Sequence, residues 1–136
     1  MDENKFFDLE IISPERIFFE GKASFLELTT SEGEVGIYKN HIPMTNVVVP
    51  GVVSIETAEG TKTAAIHSGF MVILQEKITI MAEVAEWPEE IDENRAKEAK
   101  LRAERRLKCN DEGVNTARAE LALKRSLARL NAIKKV

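Results

Sequence analysis

The stretch Glu86-Trp87-Pro88-Glu89-Glu90-Ile91-Asp92-Glu93-Asn94-Arg95-Ala96 divides the chain into two unlike parts. Pro88 disfavours helix at Trp87. Asp92 is a suitable helix N-cap, and Glu93 after it opposes the positive end of the helix dipole. From Asp92 to Cys109 there is neither glycine nor proline. Upstream, the punctuation is dense: all four prolines and six of the seven glycines lie before residue 91. Charge divides at the same place. Residues 1–90 carry 6 basic and 16 acidic side chains, net −10, whereas residues 91–136 carry 13 and 7, net +6. The total of −4 over 136 residues conceals this split. The sequence predicts an α+β protein of two domains, an acidic, turn-rich one over residues 1–86 and a basic helical one over 87–136.

The first domain reads as strands. Phe7, Leu9 and Ile11 alternate with polar neighbours, as do Leu26, Leu28 and Thr30, and again Ile78, Ile80 and Ala82. That period places one set of side chains on one face of a sheet. The runs Val47-Val48-Val49 and Phe70-Met71-Val72-Ile73-Leu74 suit strands covered on both faces. Gly21, Gly33, Gly51, Gly60 and Gly69 cut the region into strand-length pieces, and Pro50-Gly51 and Glu59-Gly60 are turn formers. Short strands at this spacing predict a sandwich or flattened barrel.

The second domain reads as an antiparallel helical hairpin. One helix is expected over about 92–109 and another over about 114–134, joined by a turn at Asn110-Asp111-Glu112-Gly113. Their lengths would be roughly 27 and 30 Å. Ala96, Ala99, Ala103 and Leu107 form a narrow stripe on the first. Ala119, Leu123, Leu127 and Leu130 form one on the second, with Ala117, Leu121 and Ala128 beside it. Alanines allow close approach but bury little area, which predicts a weakly held pair.

Several functions are disfavoured. No apolar run approaches the roughly 18–20 residues of a spanning helix. The polar start Met1-Asp2-Glu3-Asn4-Lys5 has no signal-peptide core behind it, so the chain is expected in the cytoplasm. Cys109 is the single cysteine, which excludes an internal disulfide and multi-cysteine zinc sites. No Walker-type phosphate loop or GxSxG elbow occurs, and His41 and His67 are not at metal-ligand spacing. Neither a metal site nor catalytic residues are expected.

The basic hairpin is more informative. Arg102, Arg105, Arg106 and Lys108 crowd the first helix, while Arg118, Arg125 and Arg129 share a face of the second. The plain reading is a solvated face, helped by pairs such as Glu98–Arg102. The sharper reading is an anion site or an acidic partner. Arg125 and Arg129, one turn apart, present two guanidinium forks to phosphate or carboxylate. His41 lies in Gly33-Glu34-Val35-Gly36-Ile37-Tyr38-Lys39-Asn40-His41-Ile42-Pro43-Met44, read either as a loop histidine bonded to backbone or as part of a docking loop. Trp87 is expected to pack where the two domains meet. His67, before Ser68-Gly69, reads as a turn residue without a role.

The order of motifs is also familiar. Gly33-Glu34-Val35-Gly36 is followed by His41-Ile42-Pro43, Ser68-Gly69-Phe70, a strand ending Ile78-Thr79-Ile80-Met81-Ala82, and Ile91-Asp92 opening an Arg-Ala helix. Together these resemble the epsilon subunits of F-type ATP synthases, small rotor subunits of the central stalk. The resemblance implies a flattened β-sandwich of about ten strands followed by the helical hairpin. It implies a sandwich docked on the gamma subunit and on the c-ring, with Glu34 and His41 at the c-ring contact. The family's commoner form has Pro-Gly before that histidine, where this chain has Lys39-Asn40. It also implies a hairpin that moves between a compact position and an extended one, in which it enters the catalytic alpha/beta head and blocks ATP hydrolysis.

A narrower match concerns nucleotide. Some bacterial members bind ATP between sandwich and compact hairpin through Ile/Leu-Asp-x-x-Arg-Ala, an upstream glutamate and two downstream arginines. Here those positions are Ile91, Asp92, Arg95 and Ala96, with Glu86 upstream and Arg125 and Arg129 downstream. The resemblance thus implies that Arg125 and Arg129 hold phosphates and that Arg95 stacks on adenine or holds phosphate. Glu86 and Asp92 accept from the base amine or ribose, and Ile91 and Ala96 supply apolar walls. The function expected is a non-catalytic rotor subunit, peripheral on the cytoplasmic face of a bacterial membrane. ATP is a regulatory ligand, not hydrolysed by this chain, that favours the compact hairpin in a proton- or sodium-driven synthase. Two rivals remain. A nucleic-acid-binding hairpin is disfavoured by the acidic first domain and the lack of aromatics in the hairpin. A nucleotide-dependent enzyme lacks a metal site and a nucleophile.

Overall fold

The computed structural model describes residues 5–109 and 115–134. Eight strands come first: β1 (Phe7–Ile12), β2 (Ile17–Ala23), β3 (Phe25–Thr30), β4 (Gly33–Ile37), β5 (Met44–Val48), β6 (Gly51–Thr57), β7 (Gly60–Ile73) and β8 (Lys77–Glu86). A 3₁₀ turn, Pro88–Glu90, leads into α1 (Glu93–Lys108), and α2 spans Thr116–Lys134. The α+β architecture is the one expected. The turn at Asn110–Gly113 and the start of the second helix at Val114 fall outside the described residues.

The strands follow the order β2-β1-β8-β7-β5-β3-β4, with β6 pairing both β3 and β7. β7 turns the sheet over on itself. Its first half, Gly60–Ile66, pairs with β6 and its second half, Gly69–Ile73, with β5, and both of those partners also pair with β3. One long strand thus serves two ladders; eight strands are delimited among the described residues, nine if the halves of β7 are counted apart, where the resemblance implies about ten. Ser68 joins the two halves at φ 38°, in the left-handed region. Beside it, a Cβ on Gly69 would collide with the Met81 carbonyl, so this close approach of β7 to β8 requires glycine.

Gly33 (φ 114°) and Gly60 (φ 127°) close the hairpins β3–β4 and β6–β7 in the same way. In each, a threonine hydroxyl, Thr30 or Thr57, donates to the glycine carbonyl at 2.9 or 2.8 Å and accepts from a glutamate N–H. Gly21 and Gly69 do not mark boundaries as expected but lie inside β2 and β7.

The alternating residues fill the core as the pattern predicts: Phe7, Leu9, Ile11, Leu26, Leu28, Ile78, Ile80 and Ala82 are all buried. The two continuous apolar runs behave otherwise. Val47, Phe70 and Leu74 are about half exposed, at 47%, 53% and 54%. Among the described residues nothing covers that outer face, so these strands bury one side only. The segment covered on both faces is instead Ala64-Ala65-Ile66-His67, every residue of which is buried. Ala64 and Ile66 enter the sandwich core. Alternation turns Ala65 and His67 to the opposite face, where α2 packs on β6 and β7.

The hairpin lies against the sandwich, with α2 between α1 and the sheet. Asp92 caps α1 by accepting from Arg95 N–H at 3.1 Å, and Asn115 accepts from Arg118 N–H at 3.1 Å at the start of α2. The buried helical residues are small: Ala96 and Ala103 on α1, and Ala119, Ser126, Ala128 and Ala132 on α2. Leu127, expected in the apolar stripe, is 37% exposed, because the smaller residues face the seam. The ion pair formed along α1 is Glu93–Lys97 at 3.5 Å.

Candidate functional site

The seam between sandwich and hairpin holds a cavity of about 400 Å³. Its lining comes from the end of β8, the connection after it, the first turns of α1, and α2. Six of the seven residues expected at a nucleotide site line it: Glu86, Ile91, Asp92, Arg95, Ala96 and Arg129. Three that were not expected at the nucleotide site join them: Glu90, Ala99 and Arg102. Ala99 and Arg102 stand one and two turns beyond Arg95 on α1. That helical spacing was the available signal.

Arg125 is not in this lining. It reaches Glu83 on β8, with Nη2 3.7 Å from Oε2, and its Nε is buried without a hydrogen-bond partner among the described residues. Arg129, one turn later, donates from Nε to Oε1 of Glu86 at 2.8 Å. The two arginines therefore both face carboxylates of β8 from α2.

Glu86 is the centre of this arrangement. Its Oε1 also lies 2.9 Å from Nε2 of His67. A carboxylate only accepts, so Nε2 carries the proton and donates. Glu86 is opposite Ala65 in the β7–β8 ladder, and His67 is two residues along β7 on the same face. The pair is a cross-strand diagonal, and the small Ala65 lets the Glu86 side chain pass over it. The His67 hydrogen bond is the main influence holding the Glu86 carboxyl down at about 2, against burial, and the Arg129 hydrogen bond and charge add to it. The carboxylate is thus ionised across the physiological range. His67 is 1% exposed and is a strand residue rather than the turn residue expected. Its role was not legible, since its partner lies 19 residues away and only the ladder brings them together.

The entrance to α1 is fixed from the other side. Arg16 grips Glu90 with both terminal nitrogens, at 2.8 and 2.7 Å, and donates to the Ala85 carbonyl at 3.3 Å. Those bonds, with the Trp87 N–H at 2.8 Å, hold the Glu90 carboxyl below its ordinary range. Trp87 stacks on Phe18 with centroids 4.2 Å apart, the packing role expected where the two parts meet.

Two further surfaces stand apart from the cavity. Glu34 is exposed on β4, and His41 is half-buried in the loop that follows, where Nδ1 donates to the Ile42 carbonyl at 2.8 Å. Asn40 has φ 66°, a left-handed conformation that asparagine tolerates better than most residues. Neighbouring Tyr38 and Ile42 are 66% and 75% exposed. On the uncovered face of the sheet, Val47, Phe70 and Met81 lie directly across from one another on β5, β7 and β8. They line an apolar groove of about 730 Å³ bounded on one side by Leu121 and Lys124 of α2. Among the described residues, no helix is long and apolar enough to cross a membrane, and no cluster of acidic, histidine or cysteine side chains could hold a metal ion.

Comparison with known proteins agrees along the whole chain. Residues 6–88 match the family described as ATP synthase, Delta/Epsilon chain, beta-sandwich domain. Residues 89–134 match its companion, ATP synthase, Delta/Epsilon chain, long alpha-helix domain. The ATP synthase epsilon chain of Syntrophomonas wolfei is 43% identical over 95% of each chain. That of Clostridium novyi is 43% identical over 95% of this chain and 98% of its own. A chain in the solved Euglena gracilis mitochondrial ATP synthase (OSCP/F1/c-ring) shares the fold, with a TM-score of 0.81 at 23% identity. It covers 93% of this chain and 80% of that one. The chain belongs to the ATP synthase delta/epsilon family.

Proposed function

We propose that this member of the ATP synthase delta/epsilon family is the epsilon subunit of a bacterial rotary ATP synthase, and that it works as a nucleotide-sensing brake. It performs no chemistry of its own. The sandwich joins the central stalk to the c-ring, with Glu34 and His41 at the c-ring contact. The uncovered Val47–Phe70–Met81 face receives the gamma subunit. The part from residue 87 onward is the moving unit. Compact, it lies as seen here. Extended, its basic helices enter the catalytic alpha/beta head and stop ATP hydrolysis. The protein sits on the cytoplasmic face of the membrane through these partners.

The observation that carries the reading is the cavity at the sandwich–hairpin seam. It gathers carboxylates from β8 and the connection with arginines from both helices. Arg129 and Arg95 offer guanidinium forks to phosphates, and Arg102 adds a third. Ile91, Ala96 and Ala99 give an apolar wall for a base. Glu86 and Asp92 accept from its amine or from the ribose. A ligand touching all these elements binds the compact state and not the extended one, so it shifts the balance toward the compact state by its differential affinity.

Trp87 adjoins Glu86 and reports on this site. ATP at millimolar concentration is expected to change its fluorescence, and the double variant Arg95→Ala, Arg129→Ala, which removes two arginines of the cavity, to abolish the change. A flat calorimetric titration of the wild-type chain would remove the nucleotide site. Adding the chain to its epsilon-depleted catalytic head is expected to lower ATPase activity. Unchanged activity would count against the brake, and failure to bind gamma would end the assignment.

A further inference from the structure

The seam has two kinds of anchor for Glu86, and they differ in what they are attached to. Arg129 sits on α2, the helix that leaves in the proposed extended state. His67 sits on β7, beside β8, within the sandwich. The His67 ring is 1% exposed, beneath α2 on the outer face of the sheet. Its Nε2 donates to Glu86 Oε1 at 2.9 Å, the same oxygen that accepts from Arg129 at 2.8 Å. Both bonds use Oε1, which leaves Oε2 for another donor. Nδ1 of His67 is buried with no hydrogen-bond partner among the described residues. A polar ring buried at the cost of one unpaired nitrogen would be poorly chosen as packing, since an apolar side chain of similar size would avoid that cost. The bond from Nε2 is what the ring supplies.

We propose that His67 is the positioning residue of the nucleotide cavity: it holds the Glu86 carboxylate in place on the sandwich, so that half of the site persists when Arg129 turns to polyphosphate or leaves with the hairpin. The inference rests on the reading that this cavity takes nucleotide. Glutamate has a long, flexible side chain, and ordering it on each binding event would cost affinity. With His67 in place that ordering is done beforehand. Without it, Glu86 follows Arg129, and the acceptor intended for the base or ribose moves with the group that must hold phosphate.

The test uses the full chain, ATP as the probe, and calorimetric titration of the wild type and three variants. In His67→Gln, the amide nitrogen can take the place of Nε2. In His67→Asn, it reaches only as far as Nδ1. His67→Leu keeps the volume and removes every polar atom. Thermal unfolding of each variant shows that it is folded. Gln is expected to bind ATP within about threefold of wild type, and Asn and Leu about tenfold more weakly, the size of one lost charge-assisted hydrogen bond. A Leu variant that binds as tightly as wild type overturns the inference. So does a Gln variant as weak as Leu, because then only the imidazole's shape matters. Absence of ATP binding by the wild type removes the nucleotide reading itself, a result distinct from a wild type that binds and variants that do not differ.

Discussion

The sandwich core and the hairpin seam hold their parts together by different means. In the sandwich, side chains as large as Leu9, Ile11, Leu26, Ile55, Met71 and Ile80 are essentially fully buried. Each such residue contributes roughly 1.5–3 kcal/mol by leaving water. On the helices, the buried residues are five alanines and Ser126, and beneath α2 on the sheet lie Ala65 and His67. A methyl group is worth only about 0.8 kcal/mol. The remaining attachment is polar: Glu86–Arg129 at 2.8 Å, with the longer Glu83–Arg125 pair beside it. The hairpin is therefore held to the sandwich more weakly than the sandwich is held together. A ligand that engages the arginines acts on the weaker of the two attachments.

Ile80→Ala tests the strong side and has the largest expected effect. It empties a fully buried site on β8 and should cost about 2–5 kcal/mol in urea unfolding. A loss under about 1 kcal/mol would mean that the core is not what holds the sandwich. Arg129→Ala tests the weak side. Loss of its charged hydrogen bond, about 1.5–3 kcal/mol, should cut hydrogen-exchange protection in α2 about 10- to 100-fold and leave the β-strands unchanged. Equal loss in both regions would show that hairpin and sandwich unfold as one unit.

Acid separates the two regions in another way. The Glu86 carboxyl is lowered from 4.5 to about 2 in the folded chain. A depressed carboxyl contributes stability that is complete above its unfolded value and is lost as pH falls through its folded one. The His67 bond lies within the sandwich and the Arg129 bond crosses the seam. Stability of the whole fold should thus hold steady above about pH 4.5 and weaken between there and about pH 2, with hairpin docking losing only the Arg129 share, while Glu86→Gln shows no such step. Lys97→Ala is the smallest perturbation. It removes the exposed Glu93–Lys97 pair within α1, on neither attachment, and should change stability by no more than about 0.5 kcal/mol. A larger change would place that pair in the seam.

The inward residues of β1, β3 and β8 were legible because alternation is a local property of the chain, and so was the Asp92 cap. The two apolar runs were misjudged for a physical reason. Val47 and Phe70 read like doubly covered residues, but hydropathy says only that a side chain prefers cover, not that this chain supplies it. In the opposite case, Ala65 and His67 carry no apolar excess, yet α2 covers them. The site was legible where its residues are close in sequence, from Glu86 to Ala96. Arg102 could have been found by continuing the helical spacing of Arg95 and Ala99. His67 could not.

By itself, the sequence determined that an acidic strand-rich part precedes a basic helical pair, and which residues of β1, β3 and β8 line the sandwich core. These follow from periodicity, punctuation and charge, all readable over a few adjacent residues. Only the tertiary structure decided which face of β7 the second helix covers, that Arg125 and Arg129 meet different carboxylates, and that His67 holds Glu86. Those outcomes depend on strand register and helix docking, which join residues 19 and 43 positions apart. No local pattern in the chain encodes such a pairing before it forms.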